Sequence, residues 1–550
     1  MGDERIRRYR QTLAELDLQR KPYESEWKDL SKYLLYRRGL FDGDRPGQAA
    51  SRRSESLDSR PAKSLRNFAA FMHAGLTSPA RPWFRLTTQD PELMESGPVR
   101  TWVFGVEQAM YQAYRRSNFY SAVHTGYLEL IGFGVGCIFE EEDDESVMRF
   151  HPLTIGEYWI AQNHRGMVDT LYRRFSMTAR AMAQKFGREN LSHAVKTALD
   201  RKDVSWFDVV HVVEPRESYD PRRMDRGNLP FASAYFEMSG DNELLWDGGY
   251  HEFPYLISRW ETTGNEAWGA GPAHDVLPDI KQLTAVIRTQ TTAIHKELDP
   301  PMALGSGMKD RLNLMPGTQH PGLLTSAGDI LAKPIYQVRP DIAAGVALRQ
   351  DIRQAIMEGF FNDLFLFLLQ RPNMTATEVV ERHEEKLLLL GPAIERQQYE
   401  LFNPLTERTF GILMRSERLP PPPQELQGQE LKVEYISLLA QAQKVIGTQA
   451  VDSAVQFAAS MASLWPEVVD KINADEALDI RSDLVGVRPG IIRTDAETSA
   501  MRKSRAQQAQ AAAQDQATMN MIQAGKTMSE IQTGEGRNAL TDALKNAAQG

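Results

Sequence analysis

A chain of 550 residues, of which 42% are hydrophobic and 25% charged, is long enough to form several folded domains. Its formal net charge of −9 argues against tight wrapping of nucleic acid, because such binding depends on Lys and Arg neutralising phosphates. Because Cys137 is the single cysteine, an intrachain disulfide is excluded. We expect its thiol to be buried and the protein to assemble in a reducing cytosol.

The N-terminal part of the chain predicts helices. Apolar residues recur at spacings of three and four from Ile6 to Leu16, and again from Trp27 to Leu34 after Pro22. The first residues lack the apolar core of a signal peptide, and no stretch approaches the roughly 18 apolar residues of a membrane span. We therefore expect a soluble protein with no membrane partner.

Three further helices and a β-hairpin are predicted next. Helical spacing marks 65–76, 102–116 and 119–130, and the short aromatic segment 82–86 lies between the first two. Alternating residues then predict two strands around an acidic turn, and similar segments continue towards residue 260. The first half of the chain is therefore expected to be α+β.

The acidic turn of this hairpin is the run 140–145. Ile138 and Phe139 are expected to face Met148 and Phe150 across the two strands. The run suggests a calcium site only weakly, since it lacks the Gly turn and the ligand spacing of a calcium loop. A solvated hairpin tip is the better interpretation.

Two long helices are predicted in the middle of the chain. Gly271-Pro272 begins the first, whose apolar residues share one face and which ends at Asp299-Pro300-Pro301. A Gly- and Pro-rich insertion of loops and strands fills 302–340, and the second amphipathic helix follows it. Beyond the second helix, the apolar run 364–369 could be core, a subunit interface or a loop tip, and core or interface is the safer interpretation.

The C-terminal third of the chain also predicts helices. A capping box, Thr375-x-x-Glu378, begins a helix with a kink at Gly391-Pro392. After four prolines at 420–423, the ranges 431–464 and 465–492 predict further helices. An Ala- and Gln-rich stretch, 506–523, favours helix but offers few anchoring side chains.

Enzyme signatures are missing from the sequence. It contains no H-E-x-x-H or other histidine spacing for a metal, no G-x-S-x-G elbow and no G-x-x-x-x-G-K-[ST] phosphate loop. We therefore predict no catalytic residue, no metal site and no cofactor. The missing phosphate loop also argues against a packaging ATPase of the conventional kind.

Several segments resemble, in order along almost the whole chain, the head-to-tail connector (portal) family of short-tailed double-stranded DNA bacteriophages. The matching segments are Leu76-Thr77-Ser78-Pro79-Ala80-Arg81-Pro82-Trp83-Phe84-Arg85-Leu86, Ser117-Asn118-Phe119-Tyr120 with Gly132-Phe133-Gly134, Arg259-Trp260 with Trp268-Gly269-Ala270-Gly271-Pro272-Ala273, Met374-Thr375-Ala376-Thr377-Glu378-Val379, and Leu419-Pro420 with Glu434-Tyr435-Ile436-Ser437. Trp268 and Ala270 depart from the usual family residues. Little resemblance remains after Arg493.

The resemblance implies a mainly α fold with an α+β wing and clip, forming a ring that usually has twelve subunits around a DNA channel. The implied ranges are 1–270 for the N-terminal part of the wing, 271–299 and 341–361 for two stem helices, 300–340 for the clip, 362–374 for a tunnel loop, 375–418 for the C-terminal helical part of the wing, 419–493 for the crown and 494–550 for a helical barrel or disordered tail. Our segment boundaries agree with that plan.

The function implied is that of a portal protein, which is not an enzyme, at one capsid vertex of the virion. Its partners would be other copies of itself, the terminase large subunit, major capsid and scaffolding proteins, tail adaptor or tube proteins, and double-stranded DNA bound without sequence specificity. Assembly would take place in the host cytoplasm. The alternative is a capsid or tail scaffold component that does not conduct DNA, and an enzyme is a weaker third interpretation.

Candidate DNA-channel residues are Lys281, Arg288 and Lys296. Lys281 and Arg288 are seven residues apart, so they project from one side of the first stem helix, and Lys296 lies near the same line. In a ring these side chains would form stacked basic belts. A charged stripe on an isolated helix is usually only a solvated face, and that interpretation stays open.

Two other sets of residues are predicted from polarity and from the resemblance. Gln370, Arg371 and Asn373 are expected at the tip of the tunnel loop. Lys309 and Arg311 are expected at the free edge of the clip, where they could meet acidic surfaces of partners, although exposed ion pairs contribute only about 0 to 1 kcal/mol each.

Overall fold

The computed structural model describes most of the chain up to residue 436 and parts of the remainder. The described residues are 2–41, 52–90, 93–94, 96–220, 222–223, 225–240, 244–304, 315, 317–319, 323–324, 327–335, 341–362, 389–426, 428, 431–436, 455–462, 465–471, 473–478, 495–530, 532–534 and 537–548. Residue contacts divide the chain into two compact units, Met1–Ile446 and Gly447–Gly550.

The first unit is mainly helical, with an α+β N-terminal half, as predicted. Its α-helices are α1 (Gly2–Tyr33), α2 (Arg60–Leu76), α3 (Gly97–Arg116), α4 (Phe119–Phe133), α5 (Ala179–Phe186), α6 (His193–Arg201), α7 (Pro272–Leu298), α8 (Ile342–Gly359), α9 (Gly391–Gln397) and α10 (Asn403–Arg415). Its strands are β1 (Phe84–Thr88), β2 (Val135–Asp143), β3 (Val147–Leu153), β4 (Tyr158–Gln162), β5 (Val168–Thr178), β6 (Trp206–Pro215), β7 (Phe231–Glu237), β8 (Leu244–Tyr250), β9 (Tyr255–Arg259), β10 (Glu261–Thr262), β11 (Gly269–Ala270), β12 (Met302–Leu304), β13 (Ala332–Pro334) and β14 (Leu431–Tyr435).

The strands form antiparallel sheets. The largest has the order β4-β5-β6-β7-β8, and a second has the order β3-β2-β9. Helices α5 and α6 pack on one face of the five-stranded sheet through a small apolar cluster. The larger core lies among α2, α3, α4, the three-stranded sheet and the base of α7. Cys137 is buried in it, as predicted.

Helix α1 joins the five-stranded sheet to the larger core. The four apolar residues from Ile6 to Leu16 pack on the sheet, whereas Trp27 and Leu30 enter the larger core. Pro22 stands inside the continuous helix. The predicted apolar faces on both sides of this proline are confirmed.

The β2–β3 hairpin differs from the predicted one. Phe139 pairs with His151, Glu140 pairs with Phe150, and only 144–146 form the turn. The predicted register is therefore wrong. Glu140, expected at a solvated tip, lies in the strand with no exposed surface. The acidic residue type suggested exposure to solvent, but α10 covers this part of the strand and buries Glu140.

Residues 431–435 form a strand rather than the start of the helix predicted over 431–464. Strand β14 pairs antiparallel with β1, and every second residue of it packs against the core. Alternation with a period of two is typical of a strand with one buried face. The helix prediction is wrong at this point because it overlooked that alternation.

Helices α9 and α10 are joined by a π turn, Gln398–Phe402, into one rod. Pro404 has no backbone N–H and cannot bond to the carbonyl four residues earlier, and the Asn403 N–H bonds to the Gln398 carbonyl five residues earlier. A kink was predicted at Gly391-Pro392, where Leu389 is helical, Leu390 forms a turn and α9 begins at Gly391. The start of the helix predicted from Thr375 lies outside the described residues, so the kink stays a prediction.

In the second unit, helix α11 (Asp495–Glu530) spans 36 residues and includes the stretch predicted as helical. Those of its side chains that the structure describes are largely exposed. A short helix, α12 (Ala539–Ala547), follows it. Support of α11 by neighbouring copies stays a prediction.

Candidate functional site

Helices α7 and α8 form an antiparallel hairpin whose bounds agree with the two predicted stem helices to within two residues. A Cβ added at Gly359 would contact Val276, and one added at Gly345 would meet Gln290. The start of each helix therefore faces the end of the other. The two glycines let the helix axes approach closely.

Only the base of this hairpin is buried in the core. The buried residues of α7 lie between Pro272 and Thr284, and those of α8 are Ile352 and Ile356. Val286 and Ile287 still pack against the core, so the stretch 288–298 extends outside it, over about 16 Å at 1.5 Å per residue. The first half of α8 runs beside it, and the hairpin projects from the rest of the unit.

The predicted channel residues lie on this hairpin in different surroundings. Lys281 stands at its base, where Nζ donates to Oδ2 of Asp29 in α1 at 2.7 Å. Arg288 and Lys296 are exposed on the projecting part. At 100° per residue, the three cations span a sector of about 80° around the helix. The structure thus brings Lys281 to an acidic partner that the sequence pattern did not reveal.

The projecting end of the hairpin and the segment beyond it expose large apolar side chains. These are Leu298 at 79%, Leu304 at 44%, Met315 at 72%, Leu324 at 65%, Ile330 at 51%, Ile335 at 62%, Ile342 at 52% and Leu348 at 44% relative exposure. Strands β12 and β13 pair across this segment, as the predicted loop-and-strand insertion requires. These side chains are available for contact with another molecule.

The other predicted residues lie outside the described part of the chain. These are Gln370, Arg371 and Asn373 of the tunnel loop, and Lys309 and Arg311 of the clip.

An ion pair holds the base of α8 to the segment before α2. Arg353 Nε donates to Oδ2 of Asp58 at 2.7 Å, and the Asp58 side chain is only 4% exposed. Further along, the rings of Phe68 and Phe361 pack with their centroids 5.4 Å apart. Helix α2 therefore lies along the last turns of α8.

A buried arginine joins β9 to the π turn. The Arg259 guanidinium donates to Oε1 of Glu400 at 2.7 and 3.1 Å, and the Arg259 backbone N–H donates to Oε2 at 2.8 Å. Gln397 Nε2 donates to the Arg259 carbonyl at 3.1 Å. Sequence reasoning missed this contact, although Arg259 belongs to one of the segments that resemble the connector family.

A second buried arginine joins α10 to the hairpin and to the segment before β9. The Arg408 guanidinium is 1% exposed and donates to the carbonyls of Glu140 and Glu252 at 3.1 to 3.3 Å. Arg415 binds the carboxylates of Glu252 and Glu142. Two arginines thus bind the carboxylates of Glu142 and Glu252, and α10 is held by charge as well as by packing.

Among the described residues, no group of three or more His, Cys, Asp or Glu residues is placed to hold a metal ion. No helix in the same part of the chain is long and apolar enough to cross a membrane.

Comparisons with known proteins agree over nearly the full length. Residues 7–492 match the family described as bacteriophage head to tail connecting protein. The "Probable portal protein" of Bordetella phage BPP-1 is 38% identical over 538 residues, which is 97% of this chain and 96% of that protein. The "Portal protein" of Salmonella phage epsilon15 is 38% identical over 554 residues, covering 100% and 99% respectively.

Similarity to solved structures is weak. The neck of an empty gene transfer agent (GTA) particle matches with a TM-score of 0.36 and 11% sequence identity, over 81% of this chain and 98% of that chain. The virion of a native GTA particle matches with a TM-score of 0.32 and 13% identity, over 78% and 99%.

Proposed function

This chain belongs to the family of bacteriophage head-to-tail connecting proteins, and from that membership we propose how it acts as a portal protein at the capsid vertex. Twelve copies form a closed ring around an axial channel. Duplex DNA enters the capsid through the channel during packaging and leaves through it during ejection. The ring assembles in the host cytoplasm among capsid and scaffolding proteins. It docks first the terminase large subunit and later tail adaptor or tube proteins.

The observation that carries the ring proposal is the projecting α7–α8 hairpin with its exposed apolar end. Leu298 is 79% exposed and Ile342 is 52% exposed in the single chain. Burial of a Leu or Ile side chain stabilises by about 1.5 to 3 kcal/mol, so contact with the neighbouring copy recovers several kcal/mol per subunit. Side-by-side packing of such hairpins closes a ring when the rotation between copies is regular.

Electron microscopy of the purified full-length chain tests the ring directly. The wild-type protein should form closed rings with an axial opening. The double variant Leu298→Glu, Ile342→Glu should remain monomeric or form incomplete rings. A matched control, Leu18→Glu with Phe104→Glu, alters two exposed apolar residues elsewhere and should still form rings. A monomeric wild type, or an assembly without a central opening, would refute the proposal.

The basic residues of α7 guide DNA without gripping it. Unit charges about 10 Å apart in water interact by roughly 0.4 kcal/mol, and physiological salt weakens this further. Exposed ion pairs are similarly weak, so Lys281 can exchange Asp29 for a phosphate at little cost. Lys281→Ala with Arg288→Ala should reduce DNA packaging or retention while rings still form. Unchanged packaging and retention would remove these residues from the mechanism.

The clip is the docking surface for terminase. Its residues Lys309 and Arg311 offer positive charge to an acidic partner. Reversing both charges, Lys309→Glu with Arg311→Glu, should weaken terminase binding by the assembled ring. Binding equal to that of the wild-type ring would place the docking surface elsewhere.

A further inference from the structure

Helix α2 presents a face that carries positive charge only. Its exposed positions are Arg60, Lys63, Arg66, Asn67, Ala70 and Ala74. The helix contains no acidic residue at all. The three cations all lie in its N-terminal half.

The Asp58 carboxylate compensates the N-terminus of α2 through the Arg60 backbone N–H, but it does not pair with the side-chain cations of this face. The N-terminus of a helix carries a partial positive charge, so acidic side chains are favoured there and basic ones are not. In the part of the chain that the structure describes, none of Arg60, Lys63 and Arg66 forms an ion pair with a carboxylate. Arg60 Nη1 instead lies 3.7 Å from Sδ of Met357, while its backbone N–H bonds to Asp58. Such an arrangement favours an external anion.

The position of this face indicates which anion it meets. Asp58, just before α2, pairs with Arg353 of α8, and Arg60 contacts Met357 one turn later. Phe68 packs on Phe361, immediately before the segment in which the tunnel loop is predicted. The cations therefore flank the base of the hairpin, beside the path proposed for DNA.

We propose that Arg60, Lys63 and Arg66 bind the phosphate backbone of duplex DNA as it passes the base of α8. The inference rests on the proposed portal function, because that function brings DNA to this surface. Successive cations are separated by about 4.5 Å of helix rise, and each DNA strand carries a phosphate about every 3.4 Å along the axis. Contacts to phosphates carry no sequence information, so the binding is independent of sequence.

The test compares two full-length variants that each lose three positive charges. One is Arg60→Gln, Lys63→Gln, Arg66→Gln. The control is Arg180→Gln, Lys196→Gln, Arg201→Gln, which alters basic residues on α5 and α6. Fluorescence anisotropy measures the affinity of each assembled protein for a labelled linear duplex of random sequence over a range of salt concentrations.

The α2 variant should bind DNA at least about tenfold more weakly than wild type at low salt, with the control close to wild type. The slope of log affinity against log salt should become shallower by about 0.9 for each phosphate contact removed. Thermal unfolding should be unchanged or slightly higher, since removing cations from a helix N-terminus relieves repulsion. Arg60→Lys with Arg66→Lys keeps the charge and should retain binding.

Equal DNA affinity and equal salt slopes for the two triple variants would overturn the proposal. The exposed face of α2 would then bind either no ligand or an acidic protein instead of DNA. Electron microscopy of the same samples separates this outcome from failure of the portal function. Rings with an axial opening but normal DNA binding by the α2 variant would reject the α2 contact alone. Wild-type protein without an opening would reject the portal function itself.

Discussion

Glu140 shows how a single buried group controls the response of the β2–α10 contact to pH. Its Oε1 accepts a hydrogen bond from the Thr409 hydroxyl, while Oε2 has no hydrogen-bond partner among the described residues. Burial raises the pKa of Glu140 to about 8, although Arg408 and the Thr409 hydroxyl act in the opposite direction. Glu252 and Glu142 raise this pKa further. The carboxyl group therefore keeps its proton near neutral pH.

We expect the contribution of Glu140 to the free energy of unfolding to fall as the pH rises from about 4.5 to about 8. The unfolded chain releases the Glu140 proton in this interval, whereas the folded chain keeps it. The slope from one such group is at most roughly 1.4 kcal/mol per pH unit. Glu140→Gln cannot titrate and should flatten the curve measured by denaturant unfolding. Glu145→Gln, exposed in the same hairpin, should keep the wild-type slope, and parallel curves for all three proteins would contradict the assignment.

His211 produces the opposite dependence. It is buried between the two larger sheets, where its ring nitrogens bond to the Tyr255 hydroxyl at 2.6 Å and the Ser233 hydroxyl at 3.0 Å. The Tyr235 ring stacks on it with the centroids 3.9 Å apart. Burial lowers the pKa of His211 well below its usual value, and nearby Lys185 adds to this effect. The folded protein therefore holds this imidazole neutral.

The contribution of His211 to the free energy of unfolding should fall as the pH decreases below about 6.5, because the unfolded chain then binds a proton that folded His211 excludes. It opposes the contribution of Glu140 in this range, so each contribution is measured as the difference between the wild type and its variant. His211→Gln should reduce this slope even though it lowers stability at every pH. His164→Gln, in an exposed turn, should leave the slope unchanged. Thermal unfolding between about pH 5 and 7 measures the effect, and an unaltered acid slope in His211→Gln would exclude His211 as its source.

At the scale of elements, the α9–α10 rod depends on its irregular turn. A regular α-helix advances 100° per residue. Continued through 398–402 as a regular helix, the rod would turn the mean direction of the buried residues of α10 about 100° away from that of the buried residues of α9. Those of α10 are Leu405, Thr406, Arg408, Thr409, Ile412 and Leu413, and those of α9 are Ala393, Ile394 and Gln397. The π turn takes up one extra residue and brings both faces onto the core.

Removing one residue from this turn should therefore be tolerated. Deletion of exposed Asn403, combined with Pro404→Ala, leaves a chain that can form one regular helix with the same buried face. We expect a loss of stability below about 2 kcal/mol. A second variant also lacks Asn403 and carries Pro404→Ala, but in addition lacks Glu407. This further deletion rotates Arg408 out of its buried site, and the free energy of unfolding should fall by about 3 to 5 kcal/mol, or the chain should not fold. Equal losses in the two thermal unfolding experiments would disprove this account.

What the sequence predicted, and what it missed, follows from the range of the interactions. Helices α7 and α8 were predicted almost to the residue, because local apolar spacing and Gly or Pro punctuation determine where they begin and end. The pairing of Lys281 with Asp29 and the burial of Glu140 were missed, because each depends on residues more than 200 positions away. The sequence likewise did not reveal that the cations of α2 lie beside α8, because that contact joins residues almost 300 positions apart.

At the scale of the whole molecule, the boundary between the two compact units has a physical basis. Strand β14 lies near the end of the first unit and pairs antiparallel with β1. It therefore covers one edge of β1. The other edge of β1 is occupied by Tyr111, whose hydroxyl bonds to the backbone of Phe84 and Trp83. One edge of β1 is thus paired with β14, and Tyr111 satisfies the backbone at the start of the other edge.

A chain ending at residue 446 should therefore fold on its own and still form rings, because it retains the α7–α8 hairpin, both arginine contacts and β14. A chain ending at residue 426 lacks β14, which leaves one edge of β1 unpaired and part of the core uncovered, and it should unfold at a clearly lower temperature. Thermal unfolding, limited proteolysis and electron microscopy distinguish the two chains. If the longer chain were as unstable as the shorter one, residues beyond 446 would be part of the first unit's folding core, and the division into two units would be wrong.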